Sequence, residues 1–513
     1  MTAGRNAIRA IPVFLALAVL ATLVLGAVVA QAPAEVPRIW DDTALVDWAT
    51  PVAALKLRPA HYSSAEYYSA PGDNLRTYPV YSPDAEPAGY WEGLQKKKPE
   101  PLLDAAKIRT ALDWIAAGER AFFELDSFWM RTNDPSVIAQ ARDARNFEGV
   151  SKRPDGTVGE ARWVVTPQGV MLSRTQCSSC HRHIDSDGNP TVALRAAGPR
   201  SEAFGLGDPA FLVRALPRFF VGDTLPMAMW RMFTVPWAPD DQVEQLRTAN
   251  AQELSQQEKQ RLTMMGTGEG VFPRPNGSPY YAAKIPDLRL LKYSRYIDAT
   301  GTHRLRGPED IARYAALITG ADRMDFGPHR LLTGEQRRVR FRYADEVLYA
   351  IGMYLMSLEP PKNPNPPPPE LVARGQEVFR RENCGTCHPA PTYTTGELTP
   401  VDGFDAPPDH PNGRDVRSRS VGTDPGLALK TRKGTGFYKI PSLRGLWYRS
   451  RLLHDASITS LEELFDPARL APEYERKGWA PRGATKGAIP GLEFLPKLNA
   501  DDKRALIAFL RSL

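Results

Sequence analysis

Apolar residues in this chain gather into one unbroken run near the start and several helix-periodic stretches farther on. The run is Ile11 to Ala30, IPVFLALAVLATLVLGAVVA, with Arg5 and Arg9 on its N-terminal side. Apolar spacing near 3.6 predicts helices over Leu102–Ala117, Glu119–Phe128, Val347–Leu358, Leu371–Asn383 and Arg504–Leu513. In the fourth, Val372, Val378 and Phe379 are available for packing; the fifth has Asn499 as cap and Asp501 and Asp502 in its first turn. Proline breaks the pattern twice. Pro51–Pro101 reads as an extended arm over the surface, and Pro360–Pro369 as a stiff polyproline linker. The fold class expected is mainly α, with long loops and one small hairpin.

The stretches on either side of the linker repeat. Lys284-Ile-Pro-Asp-Leu-Arg289 is followed by the helix closing at Ser357-Leu358, and Lys439-Ile-Pro-Ser-Leu-Arg444 by the helix closing at Ser512-Leu513. One offset of 155 residues superposes both landmarks, which argues for an internal duplication. The first half carries a long extra segment, including Pro226–Trp230, Pro236-Trp237 and Gly270–Pro275.

Composition bounds the class. The chain has 513 residues, too many for one core, and two or three domains are expected. The net charge is +6, of which Arg5 and Arg9 contribute two; this is too small to argue for nucleic acid. The basic flank stays inside, so the chain behind residue 30 is exported, to the periplasm or beyond. The run is long for a signal peptide and long enough for a span; Val28-Val29-Ala30 offers a small-residue cut site, so a cleaved signal and an uncleaved anchor both stay open.

The chemistry lies in four cysteines. Cys177-Ser-Ser-Cys180-His181 and Cys384-Gly-Thr-Cys387-His388 use all of them, and each is a C-x-x-C-H box, the attachment signature of a c-type haem. Two thiols at this spacing reach the two vinyl groups of one porphyrin, and the histidine lies under the iron. Zinc pairs sit about 15–20 residues apart, not some two hundred; a thioredoxin-like pair does not explain two boxes each followed by histidine; and disulfides between such close neighbours are strained. The expected protein is a dihaem cytochrome c with two covalently bound haems. Its parts are a leader (1–30), an arm (31–100), a first haem domain with a large insertion (101–359), the linker (360–369) and a second haem domain (370–513).

With His181 and His388 proximal, the sixth ligands come from His61, His183, His303, His329, His410, His454 or methionine. His454 is the candidate for the second haem. The offset of 155 places it opposite Ala299, so the first haem is expected to be open, or to take His303 if the alignment slips, or His61 from the arm. His183 suits a surface or propionate contact, and Met353 and Met356 the core. Arg289 and Arg444 occupy matching places and suit haem propionates, although a surface arginine does as well. Trp230, Trp237, Trp447 and Tyr448 are candidates for electron relay or pocket wall.

The two boxes, Pro441-Ser-Leu-Arg444, Leu453-His454-Asp455 and Ser460-Leu-Glu-Glu463 together resemble the bacterial dihaem cytochrome c peroxidase superfamily. Tyr438–Tyr448 with Leu453-His454-Asp455 is most similar to its haem-dependent rubber oxygenase branch. The resemblance spans about residues 100 to 513 and leaves the arm outside. It implies His454 as sixth ligand of the second haem and a first haem, on His181, that binds dioxygen; it also allows a calcium ion between the domains, for which no ligand cluster stands out. The reading is an exported oxidoreductase meeting a small-molecule oxidant, peroxide or dioxygen, at the first haem, with His181 as its catalytic residue. The second haem passes electrons, and a small electron-transfer protein is an allowed partner. The alternatives are a pure electron carrier and an anchored subunit of a membrane redox complex.

Overall fold

The structure is a computed structural model, and it describes residues 36–147, 152–179, 181–184, 190–192, 237, 271–272, 281–332, 334–480 and 484–513. The leader, Cys180, Pro226–Trp230, Pro236 and most of Gly270–Pro275 lie outside the described residues.

Helix pairs carry the two main cores. Helix α1 (Ala111–Glu124) opens on a reciprocal cap, in which Thr110 accepts from the Asp113 backbone N–H and Asp113 accepts from that of Thr110. Helix α2 (Pro308–Ala316) and helix α3 (Asp345–Ser357) follow, and α3 packs on both α1 and α2. Helix α4 (Pro369–Arg381) starts on the last linker prolines, where the missing N–H costs nothing. The short helix α5 (Leu461–Phe465) is capped by Ser460, and helix α6 (Ala500–Ser512) by Asn499 accepting from the Asp502 N–H. The pair α4/α6 repeats the pair α1/α3.

The repetition extends to single contacts. On α1, a Cβ at Gly118 would overlap the Ala350 carbonyl oxygen and lie 2.8 Å from Tyr354 Cβ. On α4, a Cβ at Gly375 would overlap the Ala505 carbonyl oxygen and lie 2.6 Å from Phe509 Cβ. Ala350 and Ala505, and Tyr354 and Phe509, are each related by the offset of 155. One turn past each glycine an aromatic ring meets its partner: Phe122 with Tyr354 at 5.9 Å, Phe379 with Phe509 at 5.2 Å. Glycine at each crossing lets the two backbones close up. This also explains why α1 is one helix through Gly118, where the sequence pattern suggested a break between two.

Two other expectations change. The arm does not lie over the surface. Ile39, Trp40, Trp48 and Tyr67 are fully buried in the first core, and Gly72–Asp73 pairs in parallel with Arg342–Tyr343. Tryptophans with satisfied N–H groups make this possible: Trp40 donates to the Tyr62 carbonyl (2.9 Å) and Trp48 to that of Arg304 (3.1 Å). There is also more sheet than one hairpin. Strands β1 (Thr77–Tyr81), β2 (Thr157–Thr166) and β3 (Gly169–Arg174) form an antiparallel sheet in that order, with Tyr78 opposite Trp163 and Trp163 opposite Leu172. A small pair, β4 (Leu398–Pro400) with β5 (Phe437–Lys439), lies in the second half. Both faces of β2 are largely buried, so its sequence lacks the clean alternation that marks a half-exposed strand.

Candidate functional site: two C-x-x-C-H boxes and a twofold seam

The second box follows directly from α4. Asn383, at φ 56°, turns the chain out of the helix, and Cys384–Thr386 forms one tight turn that brings Cys384 and Cys387 together as unbridged thiols. His388 is half-buried, and its Nδ1 lies 3.0 Å from the Tyr393 carbonyl oxygen. That contact makes Nδ1 the protonated nitrogen and leaves the Nε2 lone pair for a metal, the arrangement an iron-ligating histidine needs. Burial lowers its pKa and so favours the neutral, ligating form.

The first box is reached differently. After α1 the chain makes the β2–β3 hairpin and returns, Gln176 donating its N–H to the Leu125 carbonyl at the helix end (2.8 Å). Cys177 packs against the first core, and His181 is half-buried just before the strand Arg182–Ile184, which holds His183.

His454 sits on a short loop whose Leu452 and Leu453 pack into the second core. Its ring stacks on Tyr438, with centroids 4.1 Å apart and planes 20° from parallel. Its Nδ1 is buried with no hydrogen-bond partner, and burial lowers its pKa. A neutral imidazole with an unsatisfied nitrogen fits a metal ligand. Tyr438 was not singled out from sequence, although it lies one residue before the KIPSLR element; only the fold brings it against His454.

The matching loop in the first half has the same backbone. Ile297 pairs with His303 as Leu452 pairs with Ile458. Asp298 and Leu453 take φ of 64° and 61°, and Gly301 and Ala456 take 64° and 63°. Every one of these pairs is related by 155. The alignment does not slip: Ala299 is the counterpart of His454, and His303 is the counterpart of Ile458. His303 is instead buried beside His61, with ring centroids 5.5 Å apart, and Trp48 packs on both. Thr302 donates to Asp298 (3.2 Å) and so accepts from His303 Nδ1 (2.9 Å), which leaves His303 Nε2 as a buried lone pair.

The two halves meet across a local twofold. The Lys284 N–H donates to the His454 carbonyl (2.7 Å), and the Lys439 N–H to the Ala299 carbonyl (2.8 Å). The ammonium of Lys284 donates to the Arg451 carbonyl (3.2 Å), and that of Lys439 to the Tyr296 carbonyl (3.3 Å). The guanidinium of Arg289 lies over the Tyr448 ring, 4.2 Å from its centroid, and that of Arg444 over the Tyr293 ring at 5.1 Å. Each contact has a mate with the two halves exchanged, the pattern of an isologous interface. Burial pushes the Lys284 ammonium down to about 7 and that of Lys439 down to about 8.

Arg289 also grips Asp287 through two nitrogens (2.9 and 3.2 Å), and Arg444 donates to the Tyr293 hydroxyl (2.9 Å). Both guanidinium groups are thus held at the seam by protein partners. Trp447 donates to the Pro361 carbonyl (3.1 Å), and Trp237 packs on Phe326 and His329. Met353 and Met356 pack against the first core. Among the described residues no group of three or more His, Cys, Asp or Glu side chains is placed to hold a metal ion, and no helix is long and apolar enough to cross a membrane.

No family model matches this chain, and no curated protein matches it. Several solved structures are similar at low identity. One is hydrazine synthase of Kuenenia stuttgartiensis, at 15% identity and TM-score 0.27, covering 46% of this chain and 73% of that one. Another is a MauG-like protein associated with microbial copper homeostasis, at 19% and 0.19, covering 33% of this chain and 56% of that one. A third is the dihaem peroxidase BthA of Burkholderia thailandensis, at 16% and 0.23, covering 64% of this chain and 90% of that one. None of the three is described as a rubber oxygenase.

Proposed function

We propose that this chain is an exported dihaem c-type oxidoreductase with two unlike irons. Cys384 and Cys387 would hold the second haem, with His388 and His454 as its protein ligands. Cys177 and Cys180 would hold the first, with His181 as a ligand and none supplied by the loop 296–303. Bound haem supplies iron redox chemistry and a coordination position for a small oxidant. The chain's own work is to fix each proximal ring, to close one distal position with an imidazole and to leave the other to peroxide or dioxygen.

The observation that carries this reading is the match between loops 296–303 and 451–458, which puts a methyl group, Ala299, where the other half has an imidazole. The second half alone reads as an electron-transfer cytochrome; the asymmetry makes the pair an enzyme. Carbon monoxide titration of the fully reduced protein tests it. The reading predicts one carbon monoxide bound per two haems. None bound, or two, contradicts it.

A further inference from the structure

The seam lysines do more than join two halves. Each offers two donors, its backbone N–H and its ammonium, to two carbonyls three residues apart on one loop. Lys284 holds the carbonyls of Arg451 and His454; Lys439 holds those of Tyr296 and Ala299. In both cases the loop belongs to the other half. Each clamped loop has two residues in the left-handed region, Asp298 and Gly301 in one and Leu453 and Ala456 in the other, and three of these four carry a Cβ. That conformation is costly for a side chain with a Cβ and persists only where the surroundings enforce it. A two-point clamp from outside the loop is such a constraint.

We propose that Lys284 and Lys439 are crosswise positioning residues, each setting the distal loop over the other half's haem. Lys284, in the first half, seats His454. Lys439, in the second half, shapes the distal pocket around Ala299, where the oxidant would enter. A change at either distal loop then reaches the other half through one hydrogen-bonded residue, with no relay of side chains between. This inference rests on the proposed function for its haem readout. The clamp itself does not.

Lys284→Met and Lys439→Met remove the ammonium donor and keep the apolar stem. Hydrogen exchange on peptides covering 294–303 and 449–458 reads the clamp without reference to haem. Lys439→Met is expected to speed exchange in 294–303 and leave 449–458 unchanged, and Lys284→Met the reverse. Spectra of the same proteins read the haems. Lys439→Met is expected to shift the cyanide affinity of the first haem by roughly two- to tenfold, the worth of one hydrogen bond. Lys284→Met is expected to turn part of the low-spin second haem high-spin. Effects confined to the lysine's own half, spread equally over both loops, or absent from both would overturn the proposal. Crossed exchange effects in a protein that binds no cyanide would keep the clamp and sink the open-haem reading instead. If the methionine variants do not accumulate, Lys284→Arg and Lys439→Arg, which keep a donor but change its length and geometry, carry the same crossed expectation.

Discussion

At the scale of single residues, the distal loops turn on positions 299 and 454. Ala299 and His454 follow matching left-handed residues, Asp298 and Leu453, and each carbonyl accepts from a seam lysine, but their side chains differ. His454→Ala should therefore open the second haem while leaving its attachment intact. The expected result is loss of the low-spin signal and cyanide binding at both irons, read by magnetic resonance; an unchanged low-spin signal would remove His454 as ligand. The neighbouring pair of His61, half-buried, and His303, buried, makes a prediction of another kind. Burial lowers His61 to about 4, and holds His303 well below its ordinary value, so both stay neutral when folded. The unfolded chain takes up these protons near pH 6.5, whereas folded His61 resists until about pH 4 and His303 resists as well. Stability contributed by the pair is thus full above pH 6.5 and falls as pH drops toward 4. Denaturant midpoints across that window should fall less steeply in His61→Gln than in the parent protein. Sequence pointed to both histidines as spare ligands but could not show that they share a pocket, because 242 residues separate them.

At the scale of elements, the helix crossings carry the duplication. Gly118 and Gly375 lie where a neighbouring helix backbone leaves no room for a Cβ, so Gly375→Ala must push α4 and α6 apart. Overpacking of this kind costs about 1–3 kcal/mol. It should lower the thermal midpoint without changing haem content, and a midpoint at or above that of the parent would refute the crossing. The helices themselves were legible: α3, α4 and α6 follow an apolar period, and α6 carries a recognisable cap in Asn499. The sheet was not, because β2 is buried on both faces and its neighbour β1 comes from a proline-rich segment that reads as extended arm. The same segment misled on burial. Its Tyr62 and Tyr67 are core residues, as are Trp40 and Trp48 just before it, but they are spaced by loop geometry rather than by any helical or strand period.

At the scale of the whole molecule, the twofold seam joins an N-terminal and a C-terminal half that are alike in backbone and unlike in chemistry. The offset of 155, visible in the KIP elements and closing helices, extends to hydrogen bonds, left-handed residues and cation–ring contacts. What sequence could not supply was the exchange, since nothing in a linear repeat says that the lysine of one copy serves the loop of the other. The central claim is that the two irons differ because Ala299 stands where His454 stands in the other half. Electron paramagnetic resonance of the ferric protein, before and after cyanide, tests it most directly. The account predicts one high-spin and one low-spin haem, with the high-spin signal lost to cyanide. Two low-spin signals indifferent to cyanide, in the ferric and the half-reduced protein alike, would contradict it.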